Sequence, residues 1–238
     1  SIHDSANLDA FARLRVSNPL TIFDSKQIHD NQPLLWDEAL ESGAGITSAH
    51  NPNTASTVIT STANTAGLFT RQTFMCFNYQ PGKSQLVMMT GVLHKSGGSV
   101  GVARRAGMFN DDNGIFFQGD AGVVSAVIRS NASGTPVDNA IPQSAWNMDK
   151  MDGKGASSVT LDWSNAQIIV FDFEWLGVGR VRMGFVVDGM VHYVHQFLHA
   201  NNVSQVYMSS PNLPLRFQME TQAVSESATL ECICACVM

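Results

Sequence analysis

Charge is what this 238-residue chain has little of: Asp, Glu, Lys and Arg make up 14% of it, against about 25% in an average soluble domain. The 14 Lys and Arg are scattered, with Arg104-Arg105 the one doublet. No basic stripe exists to neutralise a phosphate backbone, so no nucleic-acid partner is expected. Long apolar runs are missing too. None reaches the roughly 18 residues that span a bilayer as a helix, so no membrane partner is expected. Ser1 to Ser17 is polar and carries Asp4 and Asp9, unlike a secretory leader. The opening Ser1-Ile2-His3 suits the loss of an initiator Met, which predicts synthesis in a cytoplasm without export. Phosphate-binding and dinucleotide-binding glycine patterns are absent, and so is a Gly-x-Ser-x-Gly elbow. No cofactor and no serine-hydrolase chemistry is expected.

Cysteine is scarce, at four residues, and its spacing excludes more than it suggests. Cys232, Cys234 and Cys236 alternate, which on a strand places all three on one face. The spacing lacks the Cys-x-x-Cys turn typical of zinc sites, and a disulfide between positions two apart is geometrically poor. Packing as small residues on a buried strand face is expected. His192, His195 and His199 would share a face of a helix and make a metal site there. The Asp188-Gly189 turn signal instead predicts a strand, which separates His192 from His195, so no metal is expected. Asp149 and Asp152 beside Gly153 suggest a calcium loop, but no bidentate Glu follows and Lys150 and Lys154 oppose a cation. A turn held by Asp side chains is expected there.

What the chain does have is 44% hydrophobic residues, enough for a substantial core without disulfides or metals. The surface left over is rich in Ser, Thr, Asn, Gln and Gly, which suits packing against copies of itself because few charges need desolvating. From Thr57 onward, short apolar or alternating runs are separated by turn signals every ten or so residues. They include Thr73 to Tyr79, Gln85 to Leu93, Val100 to Phe109, Gly114 to Gln118, Val123 to Arg129, Ile168 to Trp175, Arg180 to Val187, Met190 to Phe197, Leu215 to Glu220 and Thr229 to Val237. This pattern predicts an all-β fold, an antiparallel jelly-roll or concanavalin-like β-sandwich. The first fifty residues read differently. Leu8 to Val16 suits one short helix or an extended arm, and loop signals follow. The expected division is an N-terminal arm with loops over 1–52, exchanged between subunits or wrapped on its own domain, and a sandwich over 53–238.

Asp172 and Glu174 are the best acid pair, on one face of a strand about 6.6–7 Å apart at the backbone, near the separation that glycoside hydrolysis needs. Ile169 to Gly177 resembles the catalytic strand of jelly-roll β-glucanases, which carries three acids at alternate positions before an aromatic-Leu-Gly. By that likeness Asp172 and Glu174 match the second and third acids, and Val170 stands where the nucleophile belongs. Exposed aromatics are the other requirement of a carbohydrate site. Trp146 is the candidate, since Trp163 and Trp175 lie in apolar runs and are expected in the core.

Longer stretches resemble a family of virion-associated proteins of tailed bacteriophages and large DNA viruses. They are Asp9 to Ser17, Leu20 to Gln27, Arg105 to Phe109 with Asn113 to Phe117, Trp146 to Gly153, Glu174 to Arg182 and Tyr207 to Pro214. Where that family's pattern has Gly, this chain has Ala12. The resemblance implies a structural component of a virus particle, on capsid, tail or fibre, located in the virion and without enzymatic activity. Its implied partners are other copies of itself, with a trimer favoured, and other virion proteins. Phe11, Leu14, Phe23 and Leu35 are the candidate assembly contacts. The alternatives are a carbohydrate- or receptor-binding module, with Asp172, Glu174 and Trp146 as site candidates and a host surface glycan as partner, and a glycosidase, which Val170 disfavours.

Overall fold

The structure is a computed structural model and describes residues 8–14, 19–95 and 99–238. It contains fifteen strands: β1 (Phe23–Lys26), β2 (Trp36–Gly43), β3 (Ile46–Asn51), β4 (Ser56–Ser61), β5 (Gly67–Thr73), β6 (Gln85–Val92), β7 (Val102–Phe109), β8 (Gly114–Asp120), β9 (Val123–Ser130), β10 (Val137–Pro142), β11 (Gln167–Phe173), β12 (Val181–Val187), β13 (Met190–Phe197), β14 (Leu215–Thr221) and β15 (Ala228–Val237). Two antiparallel sheets result. The first runs β13-β12-β11-β6-β15-β4-β3, with β1 also pairing to β15, and the second runs β10-β9-β8-β7-β14-β5-β2. This is the jelly-roll or concanavalin-like sandwich that the strand pattern predicts.

Alternation explains the layering. Ile169, Phe171 and Phe173 of β11, Val181, Met183 and Phe185 of β12, and Val87 and Met89 of β6 turn inward and are buried. They meet Ala106, Met108, Ile115, Phe117, Phe217 and Met219 of the second sheet in one core. Phe117 sits at its centre, with ring centroids 4.8 Å from Phe185, 5.7 Å from Phe171, 5.8 Å from Trp146 and 6.1 Å from Trp163. Each such aromatic pair contributes about 0.5–1.5 kcal/mol beyond its buried area. The β12–β13 hairpin turns on Asp188 (φ 51°) and Gly189 (φ 77°), the two positive φ values of a type I′ turn, as Asp-Gly predicts.

The N-terminal segment differs from expectation. Residues 23–51 are strands of the sandwich itself: β1 pairs with β15, β2 with β5 and β3 with β4. No boundary falls at residue 52. Part of the expected helix or arm, 15–16, lies outside the described residues, as do 1–7, 17–18 and the Gly97-Gly98 turn. Over 8–14 the chain forms a tight loop closed by a Leu8–Leu14 bridge, with Ala12 in the left-handed region at φ 62°, a conformation Gly would adopt more cheaply.

The three alternating cysteines do not share a face. A bulge falls between Cys232 and Cys234 where β15 pairs with β6, and one extra residue inverts the parity of everything after it. Cys232 is buried in the core, while Cys234 and Cys236 are half-buried on the outer face of the first sheet.

Candidate functional site

On the outer face of the second sheet, register places polar side chains in rows. Thr70 of β5, Gln218 of β14, Arg105 of β7, Gln118 of β8 and Ser125 of β9 are successive cross-strand neighbours. Their inward-facing chain neighbours, Phe217, Met219, Ala106 and Phe117 among them, anchor the strands in the core. The row is hydrogen-bonded. Gln218 donates from Nε2 to Thr70 Oγ1 at 3.0 Å and accepts from Arg105 Nη1 at 2.9 Å. Arg105 Nε donates to Gln118 Oε1 at 2.7 Å, and its Nη2 pairs with Glu220 at 2.8 Å.

A second row lies beside it. Arg216 is opposite Gln72 on one side and Gly107 on the other. Its Nε and Nη2 donate to Gln72 Oε1 at 3.0 and 2.7 Å, and its Nη1 pairs with Asp111 at 2.6 Å. Further on, Arg129 holds Asp138 bidentately at 2.8 and 2.9 Å. Phe109, Phe116 and Val127 form a small buried cluster on this face. The Arg216 guanidinium lies 5.3 Å from the Phe109 ring centroid and that of Arg129 lies 5.2 Å from the Phe116 centroid.

Arg105 and Gln218 of the first row, with Asp111, Arg129 and Asp138 of the second, line a groove of about 420 Å³ together with Leu68, Pro136 and Glu220. It crosses the sheet from β5 to β10. Thr70, Gln218 and Arg216 are buried and brace the row from beneath, so that Arg105 and Gln118 cannot swing away and hold their groups at fixed positions. Gln118, engaged through its oxygen, keeps its –NH₂ as a donor. Each guanidinium lining the groove already has its own carboxylate, Arg105 with Glu220 and Arg129 with Asp138, and the lining Asp111 is held by the buried Arg216.

The residues singled out from the sequence fall elsewhere. Asp172 is fully buried. It pairs with Arg182 Nη2 at 2.6 Å, accepts from Tyr193 Oη at 2.9 Å and bonds the Ser84 hydroxyl. Val170 is fully buried with Leu86 and Tyr193. Trp146 is 3% exposed and donates to the Ile141 carbonyl at 3.1 Å, so it belongs to the core and offers no face to a sugar. Glu174 is partly buried. Its Oε1 accepts from the Arg180 backbone N–H at 3.0 Å, while Oε2 is enclosed without a hydrogen-bond partner. Burial raises its pKa, opposed by the Arg180 N–H and charge.

Of the assembly candidates, Phe23 is a core residue, 5.2 Å from the Phe77 ring and 6.3 Å from that of Trp36. Leu14 and Leu35 are exposed, and Phe11 is partly exposed beneath the Arg13 guanidinium at 4.6 Å. Asp149 caps its own loop, accepting from the Met151 and Ser157 N–H groups at 2.7 Å each, as an Asp-held turn should. His195 accepts from the Asn147 N–H at 3.3 Å and burial lowers its pKa to about 4. Among the described residues no three His, Cys, Asp or Glu are placed to hold a metal ion, and no helix is long and apolar enough to cross a membrane.

A second concavity, of about 530 Å³, opens at the end of the first sheet against Asp9, Arg13, Leu14, Tyr79, Lys83 and Ser84. Several of its polar groups serve the fold: Ser84 bonds Asp172, the Tyr79 hydroxyl donates to the Lys83 carbonyl, and Asp9 accepts from Phe11 and Arg13. The groove on the second sheet is therefore the better candidate. None of its polar residues was a site candidate in the sequence, where Arg105 figured only in a basic doublet and a resemblance stretch. The alternation Leu215-Arg216-Phe217-Gln218-Met219-Glu220 was the signal, since it holds three hydrogen-bonding side chains on one outward face.

Fold and groove define a class: a concanavalin-like β-sandwich with a polar groove across the outer face of one sheet. No model of a known protein family matches the chain, and no curated protein sequence matches it. Among solved structures it is similar to the endo-1,3-beta-glucanase from Streptomyces sioyaensis, with TM-score 0.61 and 9% identity over 93% of this chain and 97% of that one. It is also similar to a glycosyl hydrolase family 16 protein from Mycobacterium smegmatis, with TM-score 0.58 and 9% identity over 92% of this chain and 100% of the other. The carbohydrate recognition domain of Emp47p gives TM-score 0.51 and 13% identity over 91% of this chain and 94% of that domain. At such identities the shared property is the fold. These likenesses correct the expectation of a particle-building virion protein without enzymatic activity: the named proteins that share the fold hydrolyse or recognise glycans.

Proposed function

We propose that the chain recognises a polysaccharide in the groove on the outer face of its second sheet. The observation that carries this is the locked row Thr70-Gln218-Arg105-Gln118, which sets amide and guanidinium groups at fixed spacing across four strands. Sugar hydroxyls both donate and accept, so a rigid surface offering both is what they need. A groove open along the sheet suits a chain-like ligand. The fold it shares with glycan-acting proteins supports the reading.

The test is calorimetric titration with a panel of polysaccharides. Arg105→Ala should weaken binding about 10–100-fold, the cost of a charge-assisted hydrogen bond in a binding site. Gln118→Ala, whose side chain bonds only Arg105 among the described residues, should weaken it less, at a cost in stability of about 1 kcal/mol. Binding that survives both changes removes the groove from consideration.

Hydrolysis is a second reading, and it has its own observation. Glu174, with its pKa raised by burial, feels the charge of Asp9, whose pKa is lowered because Arg13 and backbone N–H bonds outweigh burial. Environments that push the pKa values of two carboxyls apart are what general acid–base hydrolysis draws on. Release of reducing ends that disappears in Glu174→Gln, with groove binding intact, would establish it.

A further inference from the structure

The bulge in β15 gives the outer face of the first sheet an unusual chemistry. Cys234 and Cys236 stand there half-buried, one residue apart on the same side. Met88 of β6 is the register partner of Cys236, close enough for Cβ atoms about 4.5–5.5 Å apart. Met238 follows on β15, held by reciprocal backbone bonds to Leu86 at 2.8 and 2.9 Å. Met88 and Met238 pack on the Leu86, Val170 and Tyr193 cluster. On the other flank, β1 sets Lys26 opposite Cys234 and Asp24 opposite Cys236, and those two side chains pair with each other at 3.4 Å.

We propose that Cys234 and Cys236, with the thioether of Met88 and that of Met238 alongside, form a surface site for a soft monovalent ion, Cu(I) being the probe of choice. Alternate residues on a strand lie about 6.5–7 Å apart. A two-coordinate ion with metal–sulfur bonds of about 2.3 Å holds its sulfurs about 4.6 Å apart, so each thiol need lean inward by only about 1 Å. Thiolate and thioether donors select Cu(I) over harder ions. The absence of a three-residue cluster of His, Cys, Asp or Glu among the described residues denies zinc its usual tetrahedral set. Binding forms two metal–sulfur bonds and releases two thiol protons to solvent, with no change of oxidation state. The bis-thiolate complex carries one negative charge; Lys26, opposite Cys234, can serve it by releasing Asp24, its present partner opposite Cys236.

The experiment is to load the reduced chain with Cu(I) from a bicinchoninate buffer, alkylate with iodoacetamide and read each cysteine by peptide mass spectrometry. Cys234 and Cys236 should be shielded by about tenfold or more, while exposed Cys76 reacts at its original rate. Zn²⁺ at the same concentration should shield neither. Cys234→Ser and Cys236→Ser should each abolish the shielding of the remaining thiol, and Met88→Leu should weaken it. Absent shielding in the unaltered chain, equal shielding by Zn²⁺, or undiminished Cu(I) uptake by a folded Cys234→Ser/Cys236→Ser double variant would each overturn the proposal. The first two need no variant, so misfolding cannot obscure them.

Discussion

Burying both members of an ion pair takes two charges out of water at several kcal/mol per ion, and the fold recovers this only when further hydrogen bonds surround them. Asp172 meets that condition, whereas Nε and Nη1 of Arg182 are enclosed without a hydrogen-bond partner among the described residues. Asp172 is bonded by Ser84, Arg182 and Tyr193, while Arg182 also donates to the Leu8 carbonyl at 2.7 Å and lies 4.2 Å over the Tyr193 ring. The pair thus ties β11, β12, β13 and the loop at residue 8 together, and its role is positional. Asp172→Asn should cost about 3–5 kcal/mol, read as a fall in the urea midpoint with unchanged slope. Asp172→Leu combined with Arg182→Met should cost less than Asp172→Asn alone, because no buried charge is then stranded. If the double variant is the less stable of the two, the pair is a net source of stability and this account is wrong.

A row of side chains exists only if its strands approach closely, and Gly107 decides this for β7 and β8. A Cβ at that position would lie 2.3 Å from the Ile115 carbonyl oxygen and 2.5 Å from Phe116 Cα, both on the neighbouring strand. Gly107→Ala must part the two strands next to the point where Arg105 reaches Gln118. A loss of about 1–3 kcal/mol is expected, together with weakened polysaccharide binding; a variant as stable as the parent that binds normally would show that the strand spacing is not limiting. The same elements show what a one-dimensional pattern can carry. The β11–β12–β13 run was legible because Phe171, Phe173, Val181, Met183 and Phe185 alternate inward and Asp188-Gly189 is a turn with a mechanism. β2 and β10 were not, because their side chains are largely exposed, and β3, with Ile46 its one buried residue, likewise leaves no apolar alternation to read. The bulge in β15 is a register event between strands, and a single inserted residue, Ile233, has no local signature. The groove was hidden for the same reason: Thr70, Arg105, Gln118 and Gln218 are neighbours across strands, and each looks like an ordinary outward polar residue on its own strand.

At the scale of the molecule, charge distribution separates the glycans that the proposed groove site should take from those it should not. The formal net charge is −6, which repels an anionic polymer at long range. The two guanidiniums lining the groove, Arg105 and Arg129, are each matched by a carboxylate at 2.8 Å, and the lining Asp111 is held by Arg216 at 2.6 Å, so an incoming sulfate or uronate would have to displace a partner already in place. A neutral polysaccharide meets neither obstacle. Its affinity rests on hydrogen bonds at short range, where mobile ions have little to screen. The dissociation constant should therefore change by less than about threefold between 50 mM and 500 mM NaCl, since the Debye length matters only for unpaired charges acting across solvent. Arg129→Ala, which leaves Asp138 without its partner, should introduce repulsion of anionic glycans without creating salt dependence for neutral ones. A steep loss of affinity with salt in the unaltered chain would mean that the ligand is an anion and that at least one of the three groove ion pairs opens to receive it.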